Sequence, residues 1–219
     1  MKALLIRTYA QSDVDELCNN ATIPIINGLT DADHPTQVLA DWVTIKEEFG
    51  DSYKDRKYTY LGDGNNVAHA WLIAGALMGV EICIATPSGK YQLPESSITT
   101  AKDIAKVTGA RIEITQDAQM AAKNSSVLYT DVWISMQDAE SERAEKSIAL
   151  ANFQINDQLM SLTNKDGIFM HCLPAHRGEE VTASVIDGVR SRIWREAFHR
   201  RTTIQALFYL LTSGEIEGN

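Results

Sequence analysis

What is missing narrows the reading first. No stretch of about eighteen consecutive apolar residues occurs in the 219-residue sequence, so no membrane-spanning helix is expected. Lys2 is the only basic residue before the first apolar run, and that run is too short for a secretory leader. Cysteine is scarce, with Cys18, Cys83 and Cys172 and no CxxC pair, which argues against a disulfide framework and a structural zinc site. A reducing cytoplasm fits that usage. Positive charge is short as well: 20 Lys and Arg against 29 Asp and Glu leave a formal charge of −9, and the one dense basic cluster lies in residues 190–201. Nucleic acid is therefore not an expected partner. What is present, 44% hydrophobic and 22% charged residues, is the composition of a globular chain able to bury a core.

Short β-rich runs at 58–61, 80–85, 110–114, 127–131 and 167–171 alternate with helical stretches at 67–78, 97–108, 118–124 and roughly 139–162. Each helical stretch is long enough to cross back over a sheet face, so the expected fold is α/β, a doubly wound parallel sheet. Residues 1–49 hold a strand (3–6), a helix (12–19), a second strand (23–26) and a helix that starts after His34, with Pro35 suited to its first turn. Two strands rarely stand alone, so this part reads as a partial second α/β unit. The polar stretch 49–57 is the expected hinge between the parts. Residues 195–211 carry helical spacing of Ala197, Ile204, Leu207 and Leu211 and are expected to pack back on the N-terminal piece. The resulting division is 1–49, 50–189 and 190–219.

In an open parallel sheet, ligands sit beyond the carboxyl ends of the strands. Four clusters fall at such ends or at a helix start: His34-Pro35-Thr36-Gln37, Gly62-Asp63-Gly64-Asn65-Asn66, Asp131-Val132-Trp133-Ile134-Ser135-Met136 and His171-Cys172-Leu173-Pro174-Ala175-His176-Arg177-Gly178. Together they offer helix-start N–H groups for an anion, a carboxylate for an ammonium group, and imidazole and amide groups that polarise a carbonyl. Each also has a plainer reading. Gly62-x-Gly64 serves as a tight turn, Asp131 as a helix cap, His171 as a satisfied core histidine, Cys172 as a small buried hydrophobe, and the 190–201 basic run as a solvated helix face. Convergence of all four clusters on one kind of chemistry, an amino acid meeting an acyl donor, weighs against the plainer readings.

The segments HPTQVLAD (34–41), GDGNN (62–66), DVWISM (131–136) and HCLPAHRGEEV (171–181) resemble, in order and separation, the ornithine branch of the aspartate/ornithine carbamoyltransferase family. Arg7 in Ile6-Arg7-Thr8 resembles the family's phosphate-side arginine, and Arg200 stands where a second anion-binding arginine is found. The resemblance implies transfer of a carbamoyl group from carbamoyl phosphate to the side-chain amine of ornithine, giving citrulline and phosphate without metal or organic cofactor. It further implies that Asp131 and Ser135 hold the substrate α-ammonium. Asn66 and the Met136 backbone N–H would meet the α-carboxylate. His34 and Arg7 would donate to the carbamoyl oxygen. Gln37 and the backbone at Cys172–Leu173 would receive the carbamoyl amino group, and Arg200 would hold the donor. Cys172 with Asp131 is the pair expected to help the amine lose its proton. The family is a homotrimer.

Some features depart from the family pattern. A Ser-Thr-Arg-Thr-type phosphate loop ahead of the first strand is not among these residues, so the expectation is an N-terminally incomplete enzyme with negligible turnover and impaired trimer assembly. Gln137 replaces a loop glycine, and Phe198-His199 replace an acidic and an amide residue before Arg200. Rival readings exist. A dinucleotide fold fails for want of a third glycine, since Val67 occupies that position, and of an acidic residue after the second sheet strand. A cysteine hydrolase on His171 and Cys172 is opposed by the opposite facing of adjacent strand residues. The non-catalytic alternative is an amino-acid-binding module or pseudo-enzyme.

Overall fold

The computed structural model describes residues 2–134 and 140–213. In chain order the elements are β1 (Leu4–Arg7), α1 (Gln11–Asn20), β2 (Ile25–Leu29), α2 (Pro35–Phe49), β3 (Lys57–Leu61), α3 (Asn66–Met78), β4 (Glu81–Ala85) and α4 (Glu95–Thr108). They continue as β5 (Arg111–Thr115), α5 (Ala118–Ala122), β6 (Ser125–Thr130), α6 (Glu140–Leu150), α7 (Asp157–Leu162), β7 (Ile168–His171), α8 (Ala183–Ile186) and α9 (Ile193–Ser213). Strands β3 to β7 form a five-stranded parallel sheet in the order β5-β4-β3-β6-β7, and β1 pairs with β2 in a separate parallel pair.

Strand alternation builds two cores. Tyr58, Tyr60, Ile82, Ile84, Val127, Tyr129, Ile168 and Met170 face Trp71, Leu72 and Ala76 of α3 and Trp42 and Ile45 of α2. Their neighbours Leu61, Cys83, Leu128 and Phe169 face the other way, against α5, α7 and α8. Both faces are thus covered, which is why β6 reads as a continuously buried run. Helices α3, α5 and α7 start where a side chain accepts otherwise unpaired N–H groups. Asn65 caps α3 by accepting from the N–H of Val67 and Ala68 at 3.0 and 3.1 Å, and Asp117 and Asn156 cap α5 and α7 in the same way.

The β3–α3 connection approaches its neighbours closely. A Cβ on Gly64 would lie 2.4 Å from the Gln92 carbonyl carbon and the Leu93 nitrogen, and its N–H donates to Tyr91 O at 2.7 Å. Only glycine admits that contact.

Several boundaries differ from expectation. The helix expected over 139–162 is two helices, α6 and α7, joined by a short 3₁₀ turn. Between them Ile155 extends to bridge Val181, and Gln154 donates to the carbonyls of Gly178 and Glu179 at 3.0 and 2.7 Å. That pull on the chain interrupts the helix. The stretch expected as a hinge contains a 3₁₀ helix, Gly50–Asp55, that continues directly from α2. The strand expected at 23–26 is centred later, at Ile25–Leu29.

The last helix, α9, runs along α2. Arg192 forks onto Glu48 with two bonds of 2.7 Å, Arg195 forks onto Glu47, and His199 Nε2 meets Glu47 at 2.8 Å. Among the described residues no helix is long and apolar enough to cross a membrane.

Candidate active site

The strand order has a switch point. From β3 the chain steps outward through β4 to β5, then returns to the other side of β3 to lay down β6 and β7. At such a point the loops leaving adjacent strands diverge and open a crevice at the carboxyl edge. The loops that diverge here are the one after β3, carrying Asn65 and Asn66, and the one after β6, carrying Asp131. The loop after β7, with Cys172 and Leu173, lies next to it.

Asp131 is the centre of that crevice. Its Oδ1 accepts from the Cys172 thiol at 2.8 Å and from the Val132 N–H at 2.7 Å, and its Oδ2 accepts from Asn65 Nδ2 at 2.8 Å. Burial, and next to it the Asp131 charge, push the Cys172 thiol well above the ordinary range. The sulfur is therefore a protonated donor near neutral pH, and the basic atom of the pair is a carboxylate oxygen. A reactivity order follows. Iodoacetamide at pH 7.5 is expected to label exposed Cys18 and to spare Cys172. Asp131→Asn, which removes the anion, should speed Cys172 labelling severalfold by peptide mass spectrometry. Equal labelling in both proteins would show that the carboxylate does not hold the thiol proton.

A second group lies on the side of α2 and α9. His34 is buried, its Nε2 faces Arg200 Nη1 at 3.3 Å, and that same nitrogen of Arg200 donates to Gln37 Oε1 at 2.6 Å. Burial, then the charges of Arg200 and Arg7, hold the His34 imidazole down to about 3, with the Gly28 backbone opposing weakly. His34 is thus neutral, its Nε2 accepting from the guanidinium and its proton on Nδ1. The Nδ1 edge is buried on the side of the Gly28 backbone, and Nε2 is the ring nitrogen that meets Arg200. Arg7 is exposed at the end of β1.

Asn66 donates from Nδ2 to Thr30 O at 2.7 Å. Leu173 has left-handed backbone (φ 57°) before a cis bond to Pro174, and its N–H is spent on His171 Nδ1 at 2.8 Å. His171 is fully buried, with Nε2 at 3.2 Å from Glu180 Oε1, so its ring serves the loop rather than the Cys172 sulfur. His199 turns toward α2, where it meets Glu47, and exposed Phe198 packs between the guanidiniums of Arg195 and Arg201 on its own helix, so neither displaces Arg200 from Gln37. Ser135, Met136 and Gln137 lie outside the described residues.

Asp131 and Cys172 are thus in direct contact, and His34, Gln37 and Arg200 form a second contact set. Asn65 went unassigned in the sequence although it is the asparagine that touches Asp131; its cap position before α3 was the available signal. Asp41 and Glu196, hydrogen-bonded to Gln37 at 2.8 and 2.7 Å, were also missed. Asp41 stands one helical turn after Gln37, and Glu196 one turn before Arg200.

The chain is similar to known proteins over nearly its whole length. Residues 54–211 match the profile described as "Aspartate/ornithine carbamoyltransferase, Asp/Orn binding domain", and residues 1–47 match that described as "Aspartate/ornithine carbamoyltransferase, carbamoyl-P binding domain". The chain belongs to the aspartate/ornithine carbamoyltransferase family. Within it, the chain is 46% identical over 213 residues to the ornithine carbamoyltransferase of Halalkalibacterium halodurans, covering 97% of this chain and 66% of the relative. It is 45% identical to the catabolic ornithine carbamoyltransferase of Thermoplasma volcanium, covering 97% and 69%. The ornithine carbamoyltransferase structure from Pyrococcus furiosus superposes with a TM-score of 0.93 at 43% identity, covering 99% of this chain and 68% of that one. The chain therefore spans about two thirds of the length of these carbamoyltransferases.

Proposed function

We propose that this chain carries the acceptor side of an ornithine carbamoyltransferase and contributes to the donor side. In the proposed reaction the side-chain amine of ornithine attacks the carbonyl carbon of carbamoyl phosphate. A C–N bond forms, the C–O bond to phosphate breaks, and the products are citrulline and inorganic phosphate. The observation that carries the proposal is the Cys172–Asp131 contact of 2.8 Å at the switch point of the sheet, with the His34–Gln37–Arg200 contacts as a second cluster.

In this reading the Asp131 carboxylate, with Ser135, answers the positive end of the amino acid, and Asn66 with the Met136 N–H answers its carboxylate. Asn66 has a second amide hydrogen beyond the one given to Thr30. The neutral His34 imidazole and the Arg7 cation stabilise charge on the carbamoyl oxygen. Gln37 Oε1 keeps one lone pair after accepting from Arg200, and the Cys172–Leu173 carbonyls supply further acceptors for the carbamoyl amino group. Arg200 supplies positive charge to the donor, and the amine proton passes to the Asp131–Cys172 pair. The rest of the catalysis is positioning.

The proposal divides the chain into 1–49 on the donor side, 50–189 on the ornithine side and 190–219 as the helix that joins them. It includes a cytoplasmic setting and impaired assembly of the family's homotrimer, the latter read by light scattering.

The test is calorimetric titration of the 219-residue chain with ornithine and with putrescine, each with and without carbamoyl phosphate, beside a citrulline assay on protein of confirmed mass. Ornithine is expected to bind more tightly than putrescine, which lacks the α-carboxylate, and more tightly still with donor present. Indifference between the two amines, with no citrulline formed, would remove the assignment.

A further inference from the structure

A polar cluster lies beneath the cleft as well as in it. Asp41 of α2 and Glu196 of α9 are shut off from solvent, and one donor, Gln37 Nε2, reaches both carboxyls, at 2.8 and 2.7 Å. Trp71 Nε1 donates to Asp41 Oδ2 at 2.8 Å, Tyr129 OH to Glu196 Oε1 at 3.3 Å, and the His171 backbone N–H to Glu196 Oε2 at 3.1 Å. Burial raises both acids, Asp41 to about 6 and Glu196 well above its ordinary range, so the pair keeps a proton near neutral pH. A buried acid pair is a poor source of stability, because well-packed apolar residues of similar volume do as well or better. Its role is to be sought in what it orients.

Two things are oriented. With Nε2 committed to the acids, the Gln37 amide must turn Oε1 the other way, and Oε1 is the atom that holds Arg200 at 2.6 Å, beside His34. On its other oxygen Glu196 holds the N–H of His171, the residue before Cys172. A single carboxyl group therefore touches both sides of the cleft: through Gln37 it reaches the donor set, and through the backbone it reaches the loop that presents the thiol to Asp131.

We propose that Glu196, paired with Asp41, is a positioning residue for carbamoyl transfer, keeping His34, Gln37 and Arg200 in register with the Cys172 loop. This rests on the function proposed above.

The test uses the 219-residue chain and Glu196→Leu, which fills the space without supplying an acceptor. A residue that matters only for packing tolerates that change. Under the proposal the Gln37 amide is left to Asp41 alone and Arg200 drifts from His34. The groups that face His34 are Arg200 from α9, Arg7 from β1, the Gly28 backbone from β2 and Asp33 beside it in sequence. Losing the Arg200 contribution raises the His34 midpoint by about one unit in imidazole NMR. Affinity for inorganic phosphate, by calorimetry, falls about tenfold. Glu196→Gln has one oxygen for two donors: kept on the His171 N–H, it turns an amide N–H₂ toward Gln37 Nε2, so phosphate affinity falls nearly as far as in the leucine variant.

A folded Glu196→Leu protein with an unmoved His34 midpoint and parental phosphate affinity overturns the proposal. If the leucine variant does not fold, Glu196→Asp decides. It keeps the carboxyl group but is too short to reach Gln37 and His171 together, so an unmoved His34 midpoint there overturns the proposal equally. If the midpoint moves as expected but the parent chain binds neither phosphate nor carbamoyl phosphate, the orienting role stands and the donor-site reading falls.

Discussion

Replacing Asp131 by alanine is expected to weaken ornithine binding by about a hundredfold or more. The carboxylate is the acidic group at the centre of the crevice, and it is held in place by three donors, the Cys172 thiol, the Asn65 amide and the Val132 N–H. Losing a partly desolvated partner of a bound cation typically costs about 2–5 kcal/mol, and the lower end already gives more than a tenfold loss. Asp131→Asn separates charge from shape. Its amide oxygen still accepts from Asn65 or Val132, so the loop is retained while the charge is lost. If charge recognition is the cause, asparagine loses nearly as much affinity as alanine in a calorimetric titration. Ornithine bound by the asparagine variant as tightly as by the parent would mean that the ammonium groups are recognised elsewhere.

Trp71→Ala should produce the largest loss of stability of any single change in the core, about 3–5 kcal/mol in chemical denaturation. The indole is fully buried, its ring centroid lies 4.2 Å from that of Tyr129 and 6.3 Å from that of Trp42, and alanine would leave a void where α2, α3 and the sheet meet. The Nε1–H adds a second cost, because it is the donor to Asp41 Oδ2. Trp71→Phe isolates that part: it keeps much of the ring and strips the donor, for an expected loss of about 1–3 kcal/mol. A phenylalanine variant as stable as the parent would show that Asp41 finds another partner, and the polar cluster beneath the cleft would then be less constrained than its geometry indicates.

Much of the architecture was legible because the signals are local. Alternating short apolar runs and helical stretches placed all five strands of the main sheet within a few residues, since β3, β4, β6 and β7 are almost wholly buried apolar runs. The β6 boundary moved by one residue at its end, leaving Asp131 just past the strand, where its side chain is free to turn into the crevice. The failure at 139–162 has an equally local appearance and a distant cause. Nothing in that stretch announces the break, which comes from Gln154 and Ile155 being drawn to residues 178–181.

Within the site the same division holds. Asp131, Cys172, His34 and Gln37 stood out because each lies in a short cluster at a strand end or helix start. Glu196 did not, because on α9 it looks like one more charge in a polar helix; its neighbours Arg192 and Arg195 do face solvent-side partners on α2, while Glu196 itself is turned inward.

By itself the sequence determined the alternation of strands and helices, the family, and the kinds of group available at the strand ends, because these depend on composition and spacing over a few residues. The tertiary structure alone decided which ends lie together. The return of the chain from β5 to the far side of β3 put the switch point between Asn65 and Asp131. The packing of α9 on α2 brought Glu196 to Gln37 across 159 positions of sequence. Such pairings are set by how whole elements cover the two faces of the sheet, and no local pattern encodes that.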